Sequence, residues 1–323
     1  MEIDDDRLYP GRVFIENTLE AADTKVHMSS RITVRYLQRA AMAGFLIGLF
    51  YVAYHATAAT FAAVQVGGVS LVGFGKMLGS FIFGWALVFI FFTRSELLTS
   101  NMMVVSIAHY HRRTTTRRAL RVLATCFLGN ALGGLVLALL LKCSTLVSGA
   151  VATQMAHAVE VKLGYLDTAA GVGDLFVRAI LCNLVINVAM LLVYNGFVKD
   201  SITMTLTMVA AVFVFAFLGL EHSVANTVFF LIVGLSQGID VARAAGNVAI
   251  ALVGNFIGGG ILIGYYYAYV NNQRPRSASV DPGSTGIGPV PAESVPAQSI
   301  PAQSILAESV PAQSVPVEEV TRT

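Results

Sequence analysis

Apolar residues fill this chain in blocks too long for the core of a soluble domain, with short polar segments between them. The blocks cover about 37–54, 69–93 continuing to 108, 122–141, 175–194, 203–235 and 242–270. Each approaches or exceeds the roughly 20 residues that a helix needs to cross a bilayer, so the pattern predicts six membrane-spanning helices. The second and fifth are longer than a crossing requires and are interrupted by polar residues, at 94–101 and 219–226. An ionisable side chain at bilayer depth costs about 2.5–3.5 kcal/mol on the mildest scale. Such clusters are expected to face a cavity or partner groups, and both spans read as broken helices.

The two interruptions are related. Glu96-Leu97-Leu98-Thr99-Ser100-Asn101 and Glu221-His222-Ser223-Val224-Ala225-Asn226 share a Glu-x4-Asn spacing, and a Gly-Asn-x2-Gly-Gly pattern follows each, at 129–134 and 254–259. The glutamates (96 to 221) and the first glycines (129 to 254) recur at one offset, 125 residues. Two patterns at a single offset predict a duplicated unit of three spans. Three spans reverse orientation between halves, so the repeat reads as inverted, with the two breaks meeting near the midplane. In the overlay His222 falls opposite Leu97. The halves differ at the residue able to move a proton.

Composition agrees with the pattern. The chain has 323 residues, 55% of them hydrophobic and only 12% charged, with a mean hydropathy of +0.69. Soluble domains carry about 25% charged residues. Cys126, Cys143 and Cys182 have no paired spacing, so no disulfide framework, metal site or cofactor is expected. Basic residues at 31, 35, 39, 112–118, 199, 274 and 276 fall on one side of the membrane when both termini are cytoplasmic, while Lys76, Lys162 and Arg243 fall on the other. The basic 109–118 loop is a topology signal rather than a nucleic-acid site. Residues 1–30 form a polar N-terminus and 31–271 the transmembrane domain. Residues 272–323 carry Ser-Val-Pro-Ala-Gln-like pentads expected to be a disordered cytoplasmic tail.

A helix broken at depth frees backbone N–H and C=O groups that protein or cavity water must satisfy. The N-terminal ends of half-helices favour small anions. Glu96 and Glu221 are expected to accept backbone N–H bonds, and Asn101 and Asn226 to bridge freed backbone groups. His222 is expected to rest neutral where water is excluded and to exchange a proton with an arriving anion. Asn183 is the candidate to orient its ring. The alternative is a polar clamp that only holds helices together.

These residues resemble the formate/nitrite transporter family, whose signatures are a Ser/Ala-Glu-Leu-Phe-Thr break and a Gly-Phe-Glu-His-Ser-x-Ala-Asn break. Here they read Ser95-Glu96-Leu97-Leu98-Thr99 and Gly219-Leu220-Glu221-His222-Ser223-Val224-Ala225-Asn226, beside a matching Cys182-Asn183 pair. The resemblance implies an all-α, aquaporin-like membrane fold of six helices, assembled as a homopentamer with one pore per protomer. It implies a central site of His222, Asn183 and Thr99 with Glu221 beside it. Leu97, Leu98 and Thr99 would form the loop at the cytoplasmic constriction, with Phe215 nearby, and Phe83 and Leu87 would line the outer one. Lys162 would stand in the outer vestibule. Arg94, where the family usually has a small residue, is expected to pair with Glu96.

The implied function is a channel or proton-coupled transporter in the plasma membrane for a small monovalent anion, formate first and nitrite second. Acetate, lactate and hydrosulfide are alternatives on the same fold. A membrane enzyme using Glu221 and His222, or a sensor, is the rival from another class. The chain carries no nucleophile motif, metal-ligand cluster or cofactor fingerprint to support it.

Overall fold

The structure, a computed structural model, describes residues 9–272; the expected tail falls outside the described residues from 273 onward. In chain order the helices are α1 (Arg12–Arg31), α2 (Thr33–Ala62), α3 (Val72–Phe92), α4 (Leu98–Tyr110), α5 (Thr116–Lys142), α6 (Gly149–Gly164), α7 (Ala169–Tyr194), α8 (Ser201–Phe217), α9 (Ser223–Gln237) and α10 (Val241–Asn255). The last continues through a π-helical segment (Phe256–Tyr265) into α11 (Tyr266–Val270). A small hairpin, β1 (Gln65–Val66) with β2 (Val69–Ser70), precedes α3.

Side chains at the helix starts take up N–H groups that a helix leaves without partners. Thr168 accepts from Gly171 at α7, Asp200 from Thr203 at α8 and Asp240 from Arg243 at α10. The helices α2, α3, α5, α7 and Val241–Val270 are each long and apolar enough to cross a membrane, whereas α8 and α9 are apolar but shorter. Leu128, Val136, Leu139 and Leu140 of α5 stand roughly half exposed, an outward face suited to lipid rather than water.

Three boundaries differ from the hydropathy pattern. The polar N-terminal segment contains α1, which buries Phe14, Ile15, Thr18, Ala22 and Met28 along one face. The chain bends at Ile32 between α1 and α2, so Arg31 does not share one helix face with Arg35 and Arg39. The second apolar block starts as a helix at Val72, not 69, because the hairpin occupies 65–70.

The glycine pattern brings helix backbones together. A Cβ on Gly133 would lie 1.7 Å from the Ala41 carbonyl oxygen, and one on Gly258 would lie 2.1 Å from that of Ile180. Only glycine permits these crossings.

At the first interruption α3 ends at Phe92 and α4 begins at Leu98. Arg94 adopts a left-handed backbone (φ 53°), as does Gly219 (φ 64°) at the same 125-residue offset. The expected Arg94–Glu96 pair does not form. Arg94 is exposed and has no partner among the described residues, while Glu96 is buried and pairs with Lys25 at 2.5 Å. The left-handed turn carries the arginine outward, and α1 supplies the counter-charge instead. A non-glycine residue in this region costs about 1–3 kcal/mol, part of which glycine's own flexibility offsets. Arg94→Gly is therefore expected to stabilise the protein by up to about 1 kcal/mol, read as a raised melting temperature; a lowered one would contradict this account.

Candidate functional site

The second interruption is built like the first. Leu97 and His222 are the N-caps of α4 and α9, both with extended backbone (φ −112°, ψ 128° and φ −113°, ψ 116°). The leucine offers no cap. The histidine does: its Nδ1 accepts from the Ala225 N–H at 3.1 Å. A neutral imidazole whose Nδ1 accepts carries its proton on Nε2, an assignment made from the hydrogen-bond network. Nε2 then donates to the Thr99 hydroxyl at 3.0 Å, joining the two interrupted regions. Phe215 lies against the imidazole ring, with centroids 5.9 Å apart.

Asn183 makes no hydrogen bond to His222 among the described residues. Its amide donates to the Thr99 carbonyl (3.1 Å) and the Asn255 carbonyl (2.7 Å), and Asn187, one turn on, reaches the same Thr99 carbonyl at 3.3 Å. Asn183 thus fixes Thr99, and Thr99 fixes the ring. The π-helical segment opens immediately after Asn255, where this amide is inserted.

The freed backbone groups are bridged by asparagines other than the expected ones. Asn130 accepts from the Leu98 N–H (3.1 Å) and donates to the Ala40 and Glu96 carbonyls (2.8 Å each). Asn255 accepts from the Ser223 N–H (2.8 Å) and donates to the Ala179 and Glu221 carbonyls (2.8 and 2.9 Å). Asn101 and Asn226 serve the glutamates instead, donating to Glu96 at 3.1 Å and to Glu221 at 2.6 Å. Among the described residues the two carboxylates accept no backbone N–H. Glu96 takes Lys25, and Glu221 takes Lys162 on both oxygens at 2.8 Å. A buried carboxylate is better compensated by a cation than by a neutral amide, and the helices that precede the two sets of spans, α1 and α6, supply one each.

Two cavities meet at this centre. One is apolar, lined by Ile47, Leu87, Ile90, Leu97, Ile186, Val212 and Phe215, with His222 as its polar wall. The other, a wider vestibule, is lined by Tyr51, Tyr54, His55, Lys76, Lys162, Arg178 and Glu221 among others. Phe83, Phe215, His222 and Ala225 border both, so they form the partition between them. Phe83 and Phe215 meet edge to face at 5.7 Å. Phe215 stands beside Phe83 at this partition and lines the apolar cavity together with Leu97. Leu87 and Leu97 line the apolar cavity. Leu98 is 2% exposed and lines neither cavity; its contribution is the N–H held by Asn130. Thr99, wholly buried, meets the cavity only through His222.

Lys25, Asn130, Asn187, Asn255 and His55 were not singled out in the sequence. The repeated Gly-Asn pattern could have marked Asn130 and Asn255.

Apolar helices packed around a buried polar centre with an apolar cavity are an arrangement suited to a transport protein. The profile described as formate/nitrite transporter matches residues 12–269, and the chain belongs to that family. Relatives include an uncharacterized transporter YwcJ of Bacillus subtilis, 25% identical, covering 74% of this chain and 90% of that protein. The formate channel FocA of Haemophilus influenzae is 26% identical, covering 79% and 93%. The nitrite transporter NirC of Salmonella typhimurium is 26% identical, covering 62% and 73%. The fold is that of a solved FNT family ion channel (TM-score 0.68, 22% identity, 79% and 98% covered). It also matches a pentameric formate channel with formate bound (TM-score 0.58, 17% identity, 74% and 98% covered). The family's members are channels and transporters, not enzymes, and this chain is a multi-pass membrane protein.

Proposed function

We propose that the chain is a homopentameric plasma-membrane channel or transporter for small monovalent anions, formate before nitrite, with both termini cytoplasmic. Its six spans form an inverted repeat in which α3 with α4 and α8 with α9 are the two broken helices. Transit is linked to protonation through His222. The observation that carries this reading is the lining of the apolar cavity. Leu87 and Val212, Ile90 and Phe215, and Leu97 and His222 are duplicate positions at the offset of 125 residues, and all six face one space. A cavity walled by equivalent residues of both halves is what a pore that crosses the in-plane pseudo-two-fold axis of an inverted repeat requires. The formate found in a pentameric relative of the same fold supports the substrate class and the assembly.

The chemistry follows from the walls. An ionised carboxylate leaving the vestibule must pass Phe83 and Phe215 into an apolar space, where burying unpaired charge is prohibitive. A proton taken up at the partition removes that charge. His222 relays it: Nδ1 takes a proton from vestibule water as the anion arrives, releasing the Ala225 N–H, and the Nε2 proton passes to the anion, which leaves a neutral ring.

The test is flux of formate, nitrite, acetate, lactate and hydrosulfide in proteoliposomes at two pH values. His222→Asn keeps a polar side chain without a titratable group. It is expected to lower formate flux at least about tenfold, equivalent to one hydrogen bond to a charged group at about 1.5 kcal/mol, and to abolish its pH dependence. Wild-type pH dependence in this variant would refute the proton link, and wild-type protein that passes none of the anions would refute the transport reading.

A further inference from the structure

The first turns of α5 carry three arginines that the transport site does not use. Arg117, Arg118 and Arg121 are all exposed and pair with no carboxylate among the described residues. Asp23 is engaged by Arg113 of the preceding loop, and Glu96 by Lys25. On a helix, residues three and four apart are neighbours, with Cβ atoms about 5–6 Å from each other. Arg121 therefore stands beside both Arg117 and Arg118. Like charges in that register destabilise a helix, and cations in the first turn oppose its dipole. The first turn of α5 contains no acidic residue to offset either cost.

The face that carries the arginines continues into the apolar part of the helix. Positions 117, 121, 124, 128, 132 and 139 share one side of α5, and all are exposed. After the two arginines they are Ala124, Leu128, Leu132 and Leu139. The packed side is a different one: a Cβ on Gly129 would lie 2.8 Å from the Leu37 carbonyl oxygen, and Gly133 faces Ala41. The helix is long and apolar enough to cross a membrane. From Arg121 to Leu139 it rises about 27 Å, close to the roughly 30 Å of hydrocarbon in a bilayer. With the leucines in hydrocarbon, the arginines stand at the level of the lipid headgroups.

We infer that Arg117, Arg118 and Arg121 bind the phosphate of an anionic phospholipid whose acyl chains lie along Leu128, Leu132 and Leu139. Guanidinium groups bind phosphate oxygens in bidentate fashion, and the bound charge offsets the repulsion among the three. A soluble phosphate would satisfy the arginines and leave the leucine stripe uncovered, whereas one lipid molecule covers both. A zwitterionic lipid brings its own cation beside the phosphate and gains less. The inference needs only that α5 crosses the bilayer, so it stands or falls apart from the transport reading.

Native mass spectrometry of the full-length protein, with phosphatidylglycerol and phosphatidylcholine competing, tests it. Wild type is expected to prefer phosphatidylglycerol. Changing Arg117→Gln and Arg121→Gln together should weaken phosphatidylglycerol binding about fivefold for each arginine removed and leave phosphatidylcholine binding unchanged. Arg117→Lys with Arg121→Lys, which keeps the charge, should retain most of the preference. Glycerol phosphate, which has the phosphate but no acyl chains, should not displace the lipid at equal concentration. Equal binding of the two lipids by wild type would overturn the proposal, as would an undiminished preference in the glutamine variant. Displacement by glycerol phosphate would make this a site for soluble phosphates and overturn it too. The same spectra count subunits: a glutamine variant that dissociates equally in both lipids would make this face a contact between copies of the chain, and the lipid assignment would fall.

Discussion

Asn255→Leu is expected to be among the most destabilising single changes this chain can undergo, on the order of 3–6 kcal/mol. The side chain is wholly buried and satisfies the Ser223 N–H and the Ala179 and Glu221 carbonyls together. Leucine has nearly the same volume and satisfies none of them, and each buried backbone group left without a partner costs about 1–3 kcal/mol. Water cannot substitute in a site with no exposed surface. Asn130→Leu removes the matching three bonds at the other interruption and should cost a similar amount. The measurement is thermal unfolding of the detergent-solubilised protein, together with its folded yield. A melting temperature within about 2 °C of wild type for either variant would mean that the interruptions are held by something other than these amides.

The same pair of residues shows what was legible in the sequence. The duplicated asparagines announce themselves because the offset of 125 residues holds unbroken from the first interruption to the glycine-rich helix. Their role was assigned to Asn101 and Asn226 instead. Proximity in sequence to the break favoured those two, while the residues that bridge it come from the following helix, more than thirty positions on. Geometry of that kind is set by packing, and the 1.7 Å approach that Gly133 permits is part of what creates it.

Lys25 was hidden for a different reason. Before α3 the repeat runs at other offsets: the carbonyls bound by Asn130 and Asn255 belong to Ala40 and Ala179, 139 residues apart. Lys25 and Lys162 are 137 apart. The offset drops to 125 across the longer end of α2 and the β1–β2 hairpin, which α7 and its connection do not reproduce. A pattern search at one fixed spacing therefore loses the lysines. It left Glu96 without an evident cation and put Arg94 in that place. Arginine gives no sequence sign of a left-handed backbone; only its counterpart Gly219 does. His55 was missed because the first apolar block seemed to end at 54, whereas α2 continues to Ala62 and carries the ring into the vestibule wall.

The buried ion pairs give the remaining large effect. Lys162 and Glu221 have 12% and 3% of their side chains exposed, and Asn226 is the other group that donates to the carboxylate. Breaking a buried pair from one side leaves an uncompensated charge and costs about 3–5 kcal/mol, whereas removing both charges together is often close to neutral. Lys162→Met is thus expected to lower the melting temperature strongly and reduce assembled protein, and adding Glu221→Gln should restore most of the stability. Glutamine can still accept from Asn226, so the amide is not orphaned. Transport should not recover with stability. Removing both charges leaves the net charge of the mouth unchanged, but the Lys162 side chain is the more exposed of the two and is the group an arriving anion meets, and the double variant lacks it. The double variant should therefore assemble like wild type while its formate uptake stays several-fold lower, most visibly at low ionic strength. Recovery of both properties would make the pair a structural clamp with no part in attracting substrate. Additive losses of stability, with no coupling between the two changes, would show instead that Glu221 is compensated by a group other than Lys162.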